Sequence, residues 1–234
     1  MSSYFAEFFG TLILVLLGDG VVAGVVLRKT KSENAGWLTI VVGWGLAVTL
    51  GIYAVGRISG AHLNPAITIA LAMNGSFPFD QVAGYIIAQF AGAFVGAILV
   101  WLHYLPHWKQ TTDQSTKLAV FCNAPAIRNT FSNLIGEIIA TAVFVLGILF
   151  IGANEFTQGL NPLIIGLLII SVGLSLGGTT GFAINPARDL GPRIAHFILP
   201  IPGKGNSDWS YAWIPVVGPV IGGLLGAYVY SIVF

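Results

Sequence analysis

The tripeptide Asn-Pro-Ala occurs twice in this chain, at residues 64–66 and 185–187, and each copy lies among apolar segments. A proline has no backbone N–H and disfavours helix in the residue before it, so it interrupts any helix that arrives from its N-terminal side. Proline is also favoured at the first helical position, and asparagine is a preferred N-cap. Each triplet therefore predicts a helix start, at Pro65 and at Pro186.

The composition places this interrupted pattern in a membrane. Hydrophobic residues make up 56% of the chain and charged residues only 8%, whereas soluble domains contain about 25% charged residues. A helix that crosses a bilayer needs about 20 mainly apolar residues. We therefore predict an all-α, multi-pass membrane protein with little chain left for a soluble domain. Six apolar runs are present, near residues 4–27, 37–55, 82–104, 131–152, 161–177 and 211–233.

Several other classes of protein have no support in the sequence. The first apolar run contains Glu7 and Asp19 and has neither a cationic head region nor an evident cleavage site, so we interpret it as a retained span. Cys122 is the only cysteine, which excludes an intrachain disulfide, and the four histidines show no metal-ligand spacing. No cofactor is indicated, and a net charge of +1 gives no reason to expect nucleic acid. No nucleophile and base pair is recognisable at membrane depth, so an enzyme is not expected.

The chain also contains an internal repeat. The segment AEFFGTLILVLLG resembles GEIIATAVFVLGI, and the two place Glu7 and Glu137 at the same point of an apolar run. The glutamates are 130 residues apart, and the asparagines of the triplets are 121 apart. Each half then holds three spans and one short interrupted segment, so the odd number of crossings inserts the second half upside down. We predict one transmembrane channel domain, 1–234, with inverted repeats near 1–105 and 131–234 joined by an extramembrane loop, 105–130.

The interrupted segments have the length of half a membrane crossing. The ten residues 65–74 would form a helix of ~15 Å, half of a hydrocarbon core of ~30 Å, and residues 186–197 have a similar reach. Two such half-helices that enter from opposite faces would meet tip to tip. Ala66 and Ala187 are small enough to permit that meeting.

Irregular backbone at membrane depth persists only where it is buried in protein or lines a water-filled cavity. The segments before the triplets, AVGRISGAHL and LGGTTGFAI, are therefore predicted to line a pore with their carbonyl groups, with glycines allowing the bends. Glu7 and Glu137 would be costly facing lipid, so we expect them inside the bundle, holding N–H groups of these segments. His62 fits either a lumen-lining or a packing role.

The meeting point of the half-helices is expected to exclude cations. Each helix N-terminus carries about half a positive elementary charge. If Asn64 and Asn185 cap their own helices through their side-chain oxygens, their amide N–H groups are free to donate into the lumen. A water held by two donors relays a proton poorly, so neutral solutes would pass without proton leak.

Taken together, these features resemble the aquaporin superfamily, the major intrinsic proteins, which have two Asn-Pro-Ala boxes, glutamates in the first and fourth spans and an arginine, here Arg188, after the second box. The chain is most similar to the glycerol-facilitator branch, the aquaglyceroporins, because Asp189 follows the arginine and because GPRIA and WIPVVGP occur downstream. The resemblance implies the aquaporin-like fold, six transmembrane helices plus two re-entrant half-helices. It also implies a homotetramer in the cell membrane, with one pore per subunit and both termini cytoplasmic.

The resemblance further assigns a selectivity filter by position. Its second-span residue lies twenty positions before the first triplet asparagine and is Trp44, and its fifth-span residue lies twelve before the second and is Gly173. The loop residue three before that asparagine is Phe182, and the last member is Arg188. A glycine makes the filter wider than a histidine would. Two aromatic rings form an apolar corner for the carbon edge of a polyol, while the arginine donates to its hydroxyls.

We therefore predict a passive channel for glycerol and other small uncharged solutes, with water passing as well and ions and protons excluded. A water-selective pore is the nearest alternative, and an ion-coupled secondary transporter with inverted repeats is an alternative of another class. The sequence does not rank glycerol against urea, hydrogen peroxide, dihydroxyacetone or undissociated lactic acid.

The loop charges disagree with the orientation that the resemblance implies. If both termini are cytoplasmic, the loops on that side contain only Arg57, whereas the positive-inside rule favours the side that is richer in Lys and Arg. We follow the family topology. The cations that then lie outside are Arg28, Lys29, Lys31, Lys109, Lys117, Arg128 and Lys204.

Overall fold

A computed structural model describes all residues 1–234 as a bundle of helices without strands. The predicted all-helical membrane fold is confirmed. The helices are α1 (Ser3–Val26), α2 (Trp37–Ser59), α3 (Pro65–Met73), α4 (Phe79–His103), α5 (Leu105–Gln110), α6 (Gln114–Phe121), α7 (Thr130–Gly152), α8 (Asn161–Leu176), α9 (Pro186–Ile198) and α10 (Ile214–Val233).

Five helices, α1, α2, α4, α7 and α10, are long and apolar enough to cross a membrane. The sixth predicted span, α8, is apolar but has only 16 residues, which corresponds to ~24 Å of helix. A proline, Pro162, lies in its first turn, and Gly177 follows its last residue. The two half-helices, α3 and α9, begin at the prolines of the triplets, as the sequence predicted.

The two halves of the chain use the same packing unit. Gly92 and Gly96 let α4 approach the backbone of α1, since a Cβ on Gly96 would lie 2.8 Å from the Leu12 carbonyl. Gly222 and Gly226 make the matching approach of α10 to α7, and each lies 130 positions after its counterpart. Small residues of this kind allow close helix crossings in a membrane. The α1–α4 and α7–α10 pairs are therefore equivalent.

The half-helices are exchanged between the repeats. Helix α3 of the first repeat packs on α10 of the second, where a Cβ on Gly223 would lie 3.0 Å from the carbonyl of Ala66. Helix α9 of the second repeat packs on α4 of the first, where Gly191 lies against Ala93. Neither repeat can therefore bury its own half-helix alone.

The repeats also meet along α2 and α8. A Cβ on Gly45 would lie 2.7 Å from the carbonyl of Gly166, and a Cβ on Gly166 would lie 2.8 Å from the carbonyl of Gly45. These glycines are 121 residues apart, as are the two triplets. The reciprocal contact places the approximate two-fold axis of the inverted repeat between the two glycines.

The connecting segment 105–130 carries the short helices α5 and α6. Trp108 is fully buried there and stacks on Phe121, and Lys117 donates to the carbonyl of Pro202. Because α6 packs on both α1 and α9, this segment braces the half-helix of the second repeat.

Candidate functional site

The two half-helices begin next to each other at the Asn-Pro-Ala triplets. Asn64 caps α3, its Oδ1 accepting a hydrogen bond from the Ala66 N–H at 2.9 Å. Asn185 caps α9 in the same way, accepting from Ala187 at 3.0 Å and from Arg188 at 3.2 Å. The positive ends of both helix dipoles therefore point towards one place.

Each asparagine is also bonded to the opposite repeat. Asn64 Nδ2 donates to the carbonyl of Ile184, and Asn185 Nδ2 donates to the carbonyl of Leu63, both at 2.8 Å. The sequence predicted that the amide group of each asparagine is free and that the two halves supply one donor each. An amide has two N–H donors and the cross-repeat bond uses one, so only the second N–H of each asparagine is free. Both side chains line the same cavity, so the second donor of each is the one available to a solute.

The backbone before each triplet repeats one unusual conformation. In these two segments, six residues have positive φ and four of them are not glycines. The left-handed conformation costs a non-glycine residue about 1–2 kcal/mol. The expectation that glycines provide the bends was therefore too narrow. The φ angles are 81° at Gly60, 51° at Ala61 and 51° at Leu63, and 82° at Gly181, 43° at Phe182 and 44° at Ile184.

The first lining segment is shorter than the sequence indicated. Helix α2 continues to Ser59, so AVGRIS is helical and only residues 60–63 form irregular backbone before the cap. The second segment is non-helical throughout residues 177–184.

Three consecutive carbonyl groups in each segment accept no hydrogen bond from the protein. Buried carbonyls usually have a partner, so a row of free acceptors beside a cavity is suited to hydrogen bonds with a moving solute or water. All but one of the six residues line the same cavity. The carbonyls belong to Gly60, Ala61 and His62 and, 121 positions later, to Gly181, Phe182 and Ala183.

Two fully buried glutamates bind the N–H groups of these segments. Glu7 accepts from the N–H groups of residues 62–63 at 3.0 and 2.7 Å, and Glu137 accepts from those of residues 183–184, both at 3.0 Å. Glu7 accepts two further bonds, from Ser59 Oγ at 2.6 Å and from Gln89 Nε2 at 2.8 Å. Sequence reasoning missed these last two partners, because nothing in the local pattern joins them to α1.

His62 both lines the cavity and packs. Its Nδ1 lies 3.1 Å from Thr68 Oγ1, and its ring centre lies 4.6 Å from that of Phe77 and 5.0 Å from that of Tyr85. The same ring borders the cavity. The two roles that the sequence left open therefore occur together.

Three of the four residues assigned to the filter border the cavity together. The guanidinium carbon of Arg188 lies 4.3 Å from the ring centre of Trp44, in a cation–π contact. Phe182 lines the cavity too, and its ring meets the ring of Trp37 edge-on at 5.8 Å. Trp37 was not identified from the sequence, where it is one of six tryptophans without a distinguishing motif.

The fourth residue, Gly173, lies behind this group. A Cβ there would be 2.9 Å from Cζ of Phe182 and 2.8 Å from Cγ1 of Val41. The carbonyl of Gly173 accepts a hydrogen bond from Trp37 Nε1 at 3.3 Å. A side chain at position 173 would therefore have to displace the Phe182 ring or Val41.

Asp189 anchors the start of α9 to the surrounding loops. Its fully buried carboxylate accepts from Arg193 Nε at 2.8 Å and from the Asn123 N–H at 2.7 Å. Arg193 donates in turn to the carbonyls of Asn123 and Ser207. Asp189 thus joins α9 to the loop at Asn123. The i, i+4 spacing of Asp189 and Arg193 is the sequence signal that could have identified the pair.

The cavity has a volume of about 150 Å³ for water-sized molecules. Its polar lining consists of the free carbonyls, the triplet amides, Asn161, His62 and the guanidinium, and the rest is mainly apolar. A lining of this kind fits an uncharged solute that has hydroxyl groups along one edge and C–H groups along the other. Outside the filter and the segments that precede the triplets, the apolar residues are Leu14, Val48, Ile52, Ile67, Leu71, Phe144, Ile148, Ile165 and Ile169.

Comparisons with known proteins agree with this geometry. Residues 1–230 match the family model of the major intrinsic proteins. The chain is 63% identical over 234 residues to a probable glycerol uptake facilitator protein of Thermotoga maritima, with both proteins covered in full. It is 59% identical over 234 residues to the glycerol uptake facilitator protein of Bacillus subtilis. That alignment covers 100% of this chain and 85% of the relative.

A solved structure shows the same fold. The X-ray structure of the aquaglyceroporin from Plasmodium falciparum superposes on this chain with a TM-score of 0.86 and 31% sequence identity. The superposition covers 97% of this chain and 94% of the other. The likeness therefore includes both half-helices and the spans that surround them.

Proposed function

This chain belongs to the major intrinsic protein family, and from that premise we propose that it is a passive channel through which glycerol and other small uncharged solutes cross the membrane. It is a multi-pass integral membrane protein and not an enzyme, because members of this family facilitate transport. The observation that carries the proposal is the single cavity on which free carbonyls from both repeats and both triplet asparagines converge.

Glycerol is the solute that the relatives support. Two relatives, 63% and 59% identical to this chain, are named as a probable glycerol uptake facilitator and a glycerol uptake facilitator. The chemistry of the cavity is suited to this solute, since a polyol that leaves water needs acceptors for its hydroxyl protons. The six free carbonyls supply such acceptors, and the apolar side chains accept the carbon chain.

We infer that Trp44, Phe182 and Arg188 select solutes at one end of the cavity. The two rings would hold the C–H edge of glycerol, and the guanidinium would donate to its hydroxyl oxygens. Gly173 would set the width by leaving room for the Phe182 ring. Water would pass as well, because it needs the same donors and acceptors and less space.

We further infer that the triplets exclude ions and protons. Two helix N-termini at one point disfavour a cation, and the remaining N–H group of each asparagine can orient a passing oxygen. A water that accepts from both amides has its own protons directed away from the meeting point. A continuous proton relay would then be interrupted there.

Residues 1–234 would act as one channel domain, since each repeat buries the half-helix of the other. We propose a homotetramer with one pore in each subunit, in the lipid bilayer of the cell membrane and with both termini cytoplasmic. The family resemblance supports both the assembly and the orientation. Cross-linking in native membranes and protease access to an epitope at each terminus test them directly.

Stopped-flow light scattering on proteoliposomes tests the function. A glycerol gradient is expected to produce fast re-swelling that protein-free vesicles lack, and an osmotic step with an impermeant solute is expected to reveal water flow. The glycerol rate should rise linearly with its gradient and should not respond to ionophores that collapse proton and sodium gradients.

The two alternatives predict different results in the same apparatus. A water-selective pore would accelerate the osmotic response and leave glycerol entry at the rate of protein-free vesicles. A secondary transporter would show saturable entry that depends on an ion gradient. Either outcome would exclude the proposed channel.

A further inference from the structure

Asn161 is a polar residue of the cavity wall to which no role has been assigned above. It begins α8 and lines the cavity together with Ile165 and Ile169, which follow one and two turns later on the same face of the helix. Its side chain makes no hydrogen bond within the protein, whereas those of Asn64 and Asn185 are held by bonds across the repeats. The donors and the acceptor of its amide are therefore free for a solute or water.

Asn161 lies at the end of the cavity opposite the filter. Near the start of α2, Trp37 Nε1 donates to the carbonyl of Gly173 at 3.3 Å, and near the end of α2, Tyr53 Oη donates to the carbonyl of Gly159 at 2.7 Å. Helices α2 and α8 are therefore antiparallel. Asn161 precedes Gly173 by twelve positions, about 18 Å along an α-helix. It thus borders the cavity where α2 ends.

The inverted repeat gives the two ends of the cavity equal acceptors but unequal donors. Each end has three free carbonyls, those of residues 60–62 and those of residues 181–183. At the filter end, Arg188 supplies donors as well. Its counterpart 121 positions earlier is Ile67, which also lines the cavity but has no polar group in its side chain. Helix α3 therefore contributes no side-chain donor at the end where Asn161 lies.

His62 does not supply this donor either. Its Nδ1 lies 3.1 Å from Thr68 Oγ1, and the hydroxyl of Thr68 donates its one proton to the carbonyl of Asn64 at 3.0 Å. The proton between His62 and Thr68 then belongs to Nδ1, which leaves Nε2 of the neutral ring as an acceptor. Apart from the triplet amides, Asn161 is the side chain that can donate to a solute at this end.

We propose that Asn161 is a solute-binding residue that forms, with the free carbonyls of residues 60–62, a second point of selection for small neutral solutes that carry hydroxyl groups. The inference rests on the proposed channel function. A hydroxyl group both donates and accepts, so the carbonyls would take its proton while the Asn161 amide donates to its oxygen. A polyol that has left Arg188 thereby regains both kinds of hydrogen bond. Water depends less on this residue, because neighbouring waters can replace the amide.

Substitutions at position 161 distinguish the polar role from simple occupation of space. We expect Asn161→Ala to lower glycerol permeability in proteoliposomes about fivefold, the rate change that corresponds to the loss of one hydrogen bond, although alanine leaves a wider passage. Asn161→Ser, which differs from it by one hydroxyl group, should recover most of the rate. Water permeability should change much less. Gln158→Ala removes an exposed amide three positions earlier and should match wild type.

Three results of these measurements overturn the proposal. The first is a glycerol rate in Asn161→Ala that equals or exceeds that of wild type, and the second is an equal rate in the alanine and serine variants. The third is an equal loss of water and glycerol flow, which would place the effect on the passage as a whole. Thermal unfolding is the structural control. Because the side chain bonds to no protein group, Asn161→Ala should unfold close to the wild-type temperature, and a clear fall would also overturn the proposal.

Thiol protection tests the site without transport. The one native cysteine, Cys122, is buried, so a small thiol reagent would report on Ile165→Cys, one helical turn along the cavity wall from Asn161. Glycerol is expected to slow this modification more in the Asn161 protein than in the Ile165→Cys/Asn161→Ala double variant. Equal protection in the two proteins overturns the inference. Wild-type vesicles without glycerol entry would instead refute the proposed function, so the two failures are distinguishable.

Discussion

Gly173 and Phe182 share one space beside the cavity. The Cβ that Gly173 lacks would lie 2.9 Å from Cζ of the Phe182 ring, a distance that atoms in real side chains do not adopt. The ring therefore lies where a side chain from α8 would otherwise be. Any larger residue at this position has to move its neighbours, because the same Cβ would also lie 2.8 Å from Cγ1 of Val41.

Gly173→Ala should reduce glycerol permeability while changing water permeability much less, and Gly173→His should do so more strongly. Overpacking of this kind costs about 1–3 kcal/mol, so the Phe182 ring is expected to shift towards the lumen and narrow it. A barrier increase of ~1.4 kcal/mol corresponds to a tenfold lower rate. Stopped-flow light scattering with glycerol and with an impermeant osmolyte measures the two rates on one sample.

Gly178→Ala is the matched control for this change, because a Cβ at Gly178 would have no neighbour within 4 Å. It should leave both permeabilities at the wild-type level. Equal losses of water and glycerol flow in Gly173→Ala would contradict the assignment of this position to the filter.

Asn185→Ala should destabilise the protein more than the loss of an ordinary helix cap. Removal of a cap costs about 1 kcal/mol, and Asn185 also donates to the carbonyl of Leu63 across the repeats, a bond that adds about 1 kcal/mol. Asn129→Ala is the comparison, because Asn129 caps α7 by accepting from Ser132 at an exposed site. Unfolding in detergent measures both. Equal losses of stability would argue against a cross-repeat contribution.

Glu137→Gln should loosen the backbone of residues 182–184. The carboxylate accepts from two N–H groups, and a hydrogen bond to a charged group contributes about 1.5–3 kcal/mol. In the glutamine, an NH₂ group replaces one carboxylate oxygen. This donor would face the backbone N–H that the oxygen accepted from. We expect lower thermal stability and slower glycerol entry. Glu155→Gln, at an exposed position, should change neither the stability nor the glycerol rate. Wild-type stability in Glu137→Gln would contradict the proposed role of these hydrogen bonds.

The triplets made much of the fold predictable, because proline and asparagine act on the backbone locally. The starts of α3 and α9 follow from the chemistry of Pro65 and Pro186 alone. The 130-residue spacing of Glu7 and Glu137 likewise fixed which spans are equivalent. Local preferences could not indicate that Asn64 donates to Ile184, since that bond exists only once the two repeats are packed.

Other features depend on packing that no local pattern encodes. Helix α2 continues through Gly56 to Ser59, although AVGRIS precedes the first triplet and was predicted to bend at its glycine. Gly173 was assigned by its distance from Asn185, but its position behind Phe182 depends on how α8 meets the loop.

Several of the loop cations have partners that the sequence did not indicate. Arg28 pairs with Glu33, and Arg128 pairs with Asp208. Lys117 donates to the Pro202 carbonyl. Lys204 donates to three carbonyls at the C-terminal end of α9. Four of the cations that a count of loop charges treats as equivalent therefore have structural partners, which the count ignores.

Lys204→Met should destabilise the half-helix that carries Arg188. Lys204 Nζ donates to the carbonyls of His196, Phe197 and Leu199 at 2.6–2.7 Å, and a cation at a helix C-terminus contributes about 0.3–1 kcal/mol, up to ~2 in partly buried sites. We expect a fall in unfolding free energy near the upper end of that range and a slower glycerol rate, since α9 also holds the second triplet. Lys109→Met, which removes an exposed cation, should leave both unchanged. If Lys204→Met and Lys109→Met have the same unfolding free energy, Lys204 contributes no more to the stability of α9 than an exposed loop charge does.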